Sequence, residues 1–170
     1  MKLGPYHICP AVQAFAFVLL VVSMPLTMIR SGDIIPVYTC ITFWGERPCS
    51  SSGSERRLFR CVQEESSMQA CRTFSTISIL LSVAIVVLFI LRGKYPGSNW
   101  APRIAAILCA ITIFFVWSTV VSVYNRKSCR FGDTVFDSYK NYGYVLGVGF
   151  SFMIAAWVSE IVVVVLSFVF

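Results

Sequence analysis

Four long stretches without charge constrain the fold of this 170-residue chain more than any other feature. The charges that bracket them are Lys2 and Arg30, Arg72 and Arg92, Arg103 and Arg126, and Lys140 before the last stretch. A hydrocarbon layer about 30 Å thick is spanned by roughly 20 apolar residues in a helix. Each stretch is long enough, and helices are required because lipid offers backbone groups no hydrogen-bonding partner.

The composition agrees with a membrane protein. Hydrophobic residues make up 57% of the chain and charged residues 13%, whereas soluble domains have roughly 25% charged residues. These values argue against a soluble enzyme, and they exclude disorder, which requires low hydrophobicity. The net charge is +6, but the basic residues flank the apolar runs, so they indicate span boundaries rather than nucleic-acid binding.

We therefore predict one domain, residues 1–170, with the fold of an all-α membrane protein, a four-transmembrane-helix bundle. The predicted spans are 8–29, 73–91, 104–124 and 143–168. The loops 31–71 and 125–141 share one side, and 93–102 forms a short turn on the other. The first stretch could also be a signal peptide, but no Ala-x-Ala cleavage site follows it, which favours a retained span.

Two indicators of orientation disagree. Loops 31–71 and 125–141 with their flanks carry ten basic residues against four on the opposite side, which would place these loops in the cytoplasm. Five of the seven cysteines lie in the same loops, and clustered cysteines indicate disulfides in an oxidising compartment. We expect the cysteine indicator to hold, with both loops extracellular. The disulfide candidates are Cys40, Cys49, Cys61, Cys71 and Cys129.

The first loop has the composition of a small β-structure. Residues 36–44 are rich in β-branched and aromatic residues and predict a strand, followed by a turn at Gly45 and Pro48. A second strand or short helix around Leu58–Val62 could pair back onto it. The residues alone leave the disulfide pairing open, since four cysteines permit three pairings.

Residues 40–49 resemble the signature of the amastins, small surface proteins of kinetoplastid parasites. The matching residues are Cys40, Ile41, Thr42, Phe43, Trp44, Gly45 and Cys49, with three residues between Gly45 and Cys49 where the family has four. Further resemblance lies in segments 25–28 (PLTM), 147–150 (GVGF) and 155–157 (AAW). The wider resemblance is to claudin-like four-span proteins, which implies a Cys49–Cys61 bridge.

The resemblance implies a non-catalytic surface protein of the plasma membrane. Its role would be host–parasite surface contact or membrane organisation, through the first extracellular loop and lateral helix packing. The implied partners are membrane lipids, a second copy of the chain, and a host-surface or vacuolar membrane. We expect no metal and no cofactor, because the chain has a single histidine and no paired acid–base or nucleophile–base arrangement. We expect no nucleic acid, because the basic residues flank the apolar runs.

The last span carries small residues at every fourth position, a spacing that lets helices approach closely. They are Gly143, Gly147, Ser151, Ala155 and Ser159. We expect this stripe to pack within the bundle, with contact between copies as the alternative.

Glu160 is the acid that interrupts the last apolar run. If the span ends near residue 160, the carboxylate faces headgroups at the cytoplasmic boundary. If the span continues to about residue 168, the carboxylate is buried and could bind a proton or pair with Arg92 or Arg103. We expect the boundary position or a structural role. The buried position would favour an alternative function, a transporter or channel accessory that handles protons or ions.

Overall fold

A computed structural model describes residues 8–32, 39–49, 59, 61–92, 100–127, 130–131, 134–135 and 137–169. Its helices are α1 (Ile8–Ser23), α2 (Val62–Arg92), α3 (Trp100–Asn125) and α4 (Val148–Val169). Its strands are β1 (Ile29–Ser31), β2 (Thr39–Thr42), β3 (Gly45–Pro48), β4 (Arg130–Phe131), β5 (Thr134–Val135) and β6 (Tyr144–Leu146).

The four helices form a closed bundle. Helix α1 packs against α2 and α4, and α3 packs against α2 and α4. Within the described residues, α2, α3 and α4 are long and apolar enough to cross a membrane, while α1 is a shorter apolar helix of 16 residues. At 1.5 Å per residue α1 is about 24 Å long. The predicted four-helix membrane bundle is confirmed.

The helix bounds differ from the predicted spans, because the positions of charged residues alone do not show where a helix begins or ends. Helix α1 ends at Ser23, and the chain turns at Pro25 into strand β1 instead of remaining helical to residue 29. Helix α2 begins at Val62, inside the predicted loop, because Glu64 and Glu65 suit the positive end of a helix dipole. Helix α4 begins at Val148, since residues 144–146 pair with β1 as a strand.

Apolar side chains cover both the outside and the inside of the bundle. Large exposed residues such as Phe15, Leu80 and Phe115 face outward, where lipid would solvate them. Buried residues such as Ile113 and Met153 fill the centre. Since both faces are apolar, the polar side chains that are buried distinguish inside from outside, as is usual for helices packed in lipid.

A four-stranded antiparallel sheet lies at one end of the bundle and is here called the cap. Its strand order is β3-β2-β1-β6, so β1 is paired on both sides. Ile29 lies opposite Ile41 on β2 and opposite Leu146 on β6. The sheet therefore joins the end of α1, the first loop and the segment that enters α4.

Backbone hydrogen bonds fix the cap to the bundle. The N–H of Gly147 donates to the Met28 carbonyl at 2.7 Å, and the N–H of Gly149 donates to the Thr27 carbonyl at 2.9 Å. A Cβ on Gly147 would collide with the Thr27 carbonyl oxygen. The PLTM and GVGF segments are thus contact partners, and glycine is needed at 147 for this close approach.

We expect Gly147→Ala to destabilise the protein by about 1–3 kcal/mol, the usual cost of forcing an extra methyl into a packed site. The reason is the collision with the Thr27 carbonyl. Thermal unfolding in lipid nanodiscs measures the effect, and Ser151→Ala, an exposed position of α4, is the matched control. Equal stability of the two variants would contradict the assigned contact.

Candidate functional site

The amastin-like signature forms a tight β-hairpin in the cap. Strands β2 and β3 are joined by Phe43 and Trp44, and Thr42 pairs with Gly45, whose φ of 135° favours glycine. The Thr42 hydroxyl donates to the Gly45 carbonyl at 3.1 Å and accepts from the Trp44 N–H at 3.2 Å. Ile41 and Phe43 are buried. The signature residues therefore specify a turn and its anchoring in the core.

The hairpin is closed by a disulfide between Cys40 and Cys49, whose Cα atoms are 5.1 Å apart. The predicted Cys49–Cys61 bridge is wrong. The strand partner of β2 is β3, directly after the turn, and not a segment near 58–62; Thr39 pairs with Pro48, which brings Cys49 beside Cys40. Cys61 is also disulfide-bonded. Cys129 lies outside the described residues.

The prediction of Cys71 as a disulfide candidate is also wrong. Cys71 is a free, buried thiol inside α2. Its Sγ donates to the Val116 carbonyl of α3 at 3.7 Å. Cys71 therefore belongs to the interior of the bundle and not to the loop, because α2 begins well before it.

Trp44 lies at the tip of the hairpin and is 44% exposed. The guanidinium of Arg72 lies 5.0 Å from the centroid of its ring, a cation–π distance. Arg72 is the last charge before the uncharged stretch of α2. The hairpin tip therefore lies at the level where an aromatic residue suits a membrane–water interface.

The predicted loop 125–141 contributes a structured turn beside the cap. Asp137 accepts from the Ser138 N–H at 3.0 Å and lies 3.3 Å from Lys127 Nζ. Hydrogen bonding from the Asn141 side chain, then from Ser138 and Lys127, holds the pKa of Asp137 below its usual value.

Glu160 lies in a polar centre where all four helices meet. Its side chain is 1% exposed, and its Oε1 accepts from Gln13 Nε2 at 2.6 Å and from Cys109 Sγ at 3.3 Å. Gln13 Nε2 also donates to Ser82 Oγ at 2.7 Å. The expected boundary position of Glu160 is wrong, because α4 continues to Val169.

The proposed pairing of Glu160 with Arg103 is wrong as well. Arg103 Nε donates to the Ser167 carbonyl at 2.7 Å, and its guanidinium contacts the rings of Trp100 and Phe168. The side chain of Arg92 lies outside the described part. Gln13, Ser82 and Cys109 were not predicted as site residues, although Gln13 is an amide within the first uncharged stretch and could have been noticed.

The polar centre extends along the α2–α3 interface. Ser78 Oγ donates to Thr112 Oγ1 at 2.7 Å, and Cys109 Sγ donates to the Ser78 carbonyl at 3.5 Å. Several buried polar atoms have no hydrogen-bonding partner among the described residues, and three of them lie on α1, α2 and α4 in or near this centre. They are Gln13 Oε1, Ser75 Oγ and Glu160 Oε2.

A polar groove of about 320 Å³ lies between α2 and α3 near the cap. Glu64 is buried at its edge and accepts from the Tyr139 hydroxyl. Hydroxyl groups of Ser67, Ser118 and Thr119 donate to carbonyls of their own helices. The groove is lined by Gln63, Glu64, Ser67, Ser118, Thr119, Ser122, Val123 and Arg126.

The small-residue stripe of the last span is not a continuous helical feature. Gly143 and Gly147 precede α4, and Gly143 lies in a turn. Ser151 and Ala155 are exposed and Ser159 is half-buried. The expected packing within the protein holds for Gly147, which is buried against Thr27, and is wrong for Ser151 and Ala155. The inward face of α4 carries Gly149, Met153, Ala156, Glu160, Val163 and Ser167.

Peptide mapping without reduction tests the cysteine chemistry of the cap and the bundle. We expect a Cys40–Cys49 link, while Cys9, Cys71 and Cys109, which are buried in the bundle, react with a thiol reagent only after denaturation. Recovery of a Cys49–Cys61 peptide, or alkylation of Cys40 before reduction, would show that the hairpin register is incorrect.

Comparison with known proteins identifies the family. The family described as Amastin surface glycoprotein matches residues 14–166, which is nearly the whole chain. The match includes the hairpin signature, both segments that dock the cap, and Ser82, Cys109 and Glu160 of the polar centre; Gln13 lies just before it. No curated protein matches the chain at a significant level. No group of His, Cys, Asp and Glu side chains within the described residues could hold a metal ion. The chain belongs to the amastin family of membrane surface proteins.

Proposed function

We propose that this amastin acts without catalysis at the plasma membrane, in contact between parasite and host surfaces or in membrane organisation. The observation that carries the proposal is the cross-linked hairpin, closed by Cys40–Cys49 and fixed to the bundle through Met28. The Met28 N–H donates to the Ile41 carbonyl at 2.8 Å, and the Met28 carbonyl accepts from Gly147. A contact surface held in this way loses little conformational entropy on binding.

The disulfide supports an extracellular cap, because such bonds persist in oxidising compartments. Within that orientation, the cap and the polar groove face the outside, and the apolar outer faces of the helices contact lipid. Ser151, Ala155 and Ser159 lie on the outer side of α4. They offer a surface where a second copy could approach laterally.

Adhesion of proteoliposomes to cells tests the proposed contact role. Liposomes that carry the protein with its cap outward should bind host-type cells more than protein-free liposomes do. We expect the double variant Cys40→Ser/Cys49→Ser to lose this binding, because removing a disulfide loosens the loop. Thr76→Val, which changes an exposed hydroxyl bonded to its own helix, is the matched control.

Two results would contradict the contact proposal. One is wild-type adhesion no greater than that of empty liposomes. The other is adhesion that survives loss of the disulfide at the level of the Thr76→Val control. Cross-linking in native membranes tests the lateral contact separately. A protein that yields only monomers would contradict the proposed contact between copies.

The buried position of Glu160 favours a second candidate, an accessory role in proton or ion transport. A carboxyl group at membrane depth is costly and commonly functional, and Glu160 has polar contacts from α1 and α3. Flux in proteoliposomes should then disappear in Glu160→Gln and persist in Thr76→Val. Equal flux in the wild type and Glu160→Gln would exclude this role.

A further inference from the structure

A line of small polar side chains follows the inward face of α2 from the groove to the polar centre. We call it the polar seam; its members are Ser67, Cys71, Ser75, Ser78 and Ser82. Steps of three and four residues keep them on one side of the helix. Ser67 lines the groove, and Ser82 contacts Gln13 beside Glu160. The seam therefore connects the cap side of the bundle with its centre.

Small residues alone would explain the close packing of α2 on α3. Close packing does not explain why some buried polar atoms lack a hydrogen-bonding partner. Ser75, Gln13 and Glu160 are each at most 1% exposed, yet Ser75 Oγ, Gln13 Oε1 and Glu160 Oε2 have no hydrogen-bonding partner among the described residues. A buried polar group without a partner is costly. These atoms point to a small polar occupant along the seam and at its end.

The charge environment of Glu160 identifies the occupant at the end of the seam. Among the described residues, the contacts and neighbours of its carboxyl are neutral: Gln13 from α1, Ser78 and Ser82 from α2, and Cys109 from α3. Arg103 is bonded to the Ser167 carbonyl instead. An ionised carboxylate buried without a cation is strongly disfavoured. A bound proton neutralises the carboxylate and needs less space than any other cation.

We propose that Glu160 is a proton-binding site that is loaded from the cap side through the polar seam. A hydrated proton in the groove passes its proton to water molecules that bridge the hydroxyl and thiol groups of the seam; each carrier on the path releases one proton as it accepts another, and the Glu160 carboxylate gains an O–H bond. Nothing is oxidised or reduced. The new O–H on Oε2 is a donor, and the unpartnered Gln13 Oε1 is an acceptor in the same cluster.

Access is from one side. Beyond Glu160, away from the cap, Ile85, Ala106 and Val163 are buried at 0% exposure; the next buried polar side chain on α4 is Ser167, whose hydroxyl donates to the Val164 carbonyl of its own helix. These apolar side chains offer a proton no relay. The site would therefore equilibrate with the medium on the cap side and respond to its pH, rather than conduct across the bundle.

Infrared spectroscopy of the protein in lipid nanodiscs tests the proposal. We expect a protonated carboxyl band that is absent in Glu160→Gln. Its exchange in D₂O should slow by about tenfold in Ser75→Val, which corresponds to losing one hydrogen bond to bridging water on the path. Thr76→Val, the adjacent residue on the outer face of α2, should exchange like the wild type. Ser75→Ala removes the same hydroxyl without added bulk and should also slow exchange.

Two results would overturn the proposal. If Glu160→Gln removes no protonated carboxyl band, the site does not hold a proton. If the Ser75 variants and Thr76→Val exchange at the same rate, the seam is not the route. The proposal uses the same carboxyl as the second candidate function, but exchange is read without any flux. A negative flux assay would therefore contradict the transport role, and a negative exchange assay would contradict the proton-binding site and its route.

Discussion

The rest of the structure depends on the backbone pairing between the end of α1 and the start of α4. Thr27 and Met28 accept hydrogen bonds from Gly149 and Gly147, while the Met28 N–H donates to Ile41 of the hairpin. One short segment thus joins two helices and the cap sheet. Since strand β1 is paired on both sides, no edge of it is exposed to compete for other partners. The cap can only sit where these bonds place it, which gives the signature hairpin a fixed position above the membrane.

The helices of the bundle are held together by different interactions from those in a soluble protein. In lipid, the exclusion of apolar groups from water does not hold helices together, so close packing and interhelical hydrogen bonds do. The bonds among Gln13, Ser82, Cys109 and Glu160 connect all four helices. Placing the least lipid-soluble groups at the centre orients each helix. The same polar groups surround the carboxyl that we propose as the proton-binding site.

Sequence predicted the four apolar helices, a β-strand in the first loop and the membrane surface family, because span length, β-branched residues and signature spacing are local properties. It did not predict the depth of Glu160, since charge spacing alone did not show where α4 begins and ends. Nor did it predict the Cys40–Cys49 bridge, which depends on the register Thr39–Pro48. Helix faces could not be read either, because lipid-facing and inward-facing residues are both apolar, as Leu80 and Ile85 on α2 illustrate.

The central claim is that the cross-linked hairpin is displayed outside the cell on a rigid bundle. Labelling of intact cells with a membrane-impermeant thiol reagent tests it most directly. The account predicts no labelling of Cys40 or Cys49 before reduction, and labelling of both after an impermeant reductant is added outside. Labelling of these cysteines only after the membrane is permeabilised, with no reductant needed, would place the cap in the cytosol and contradict the account.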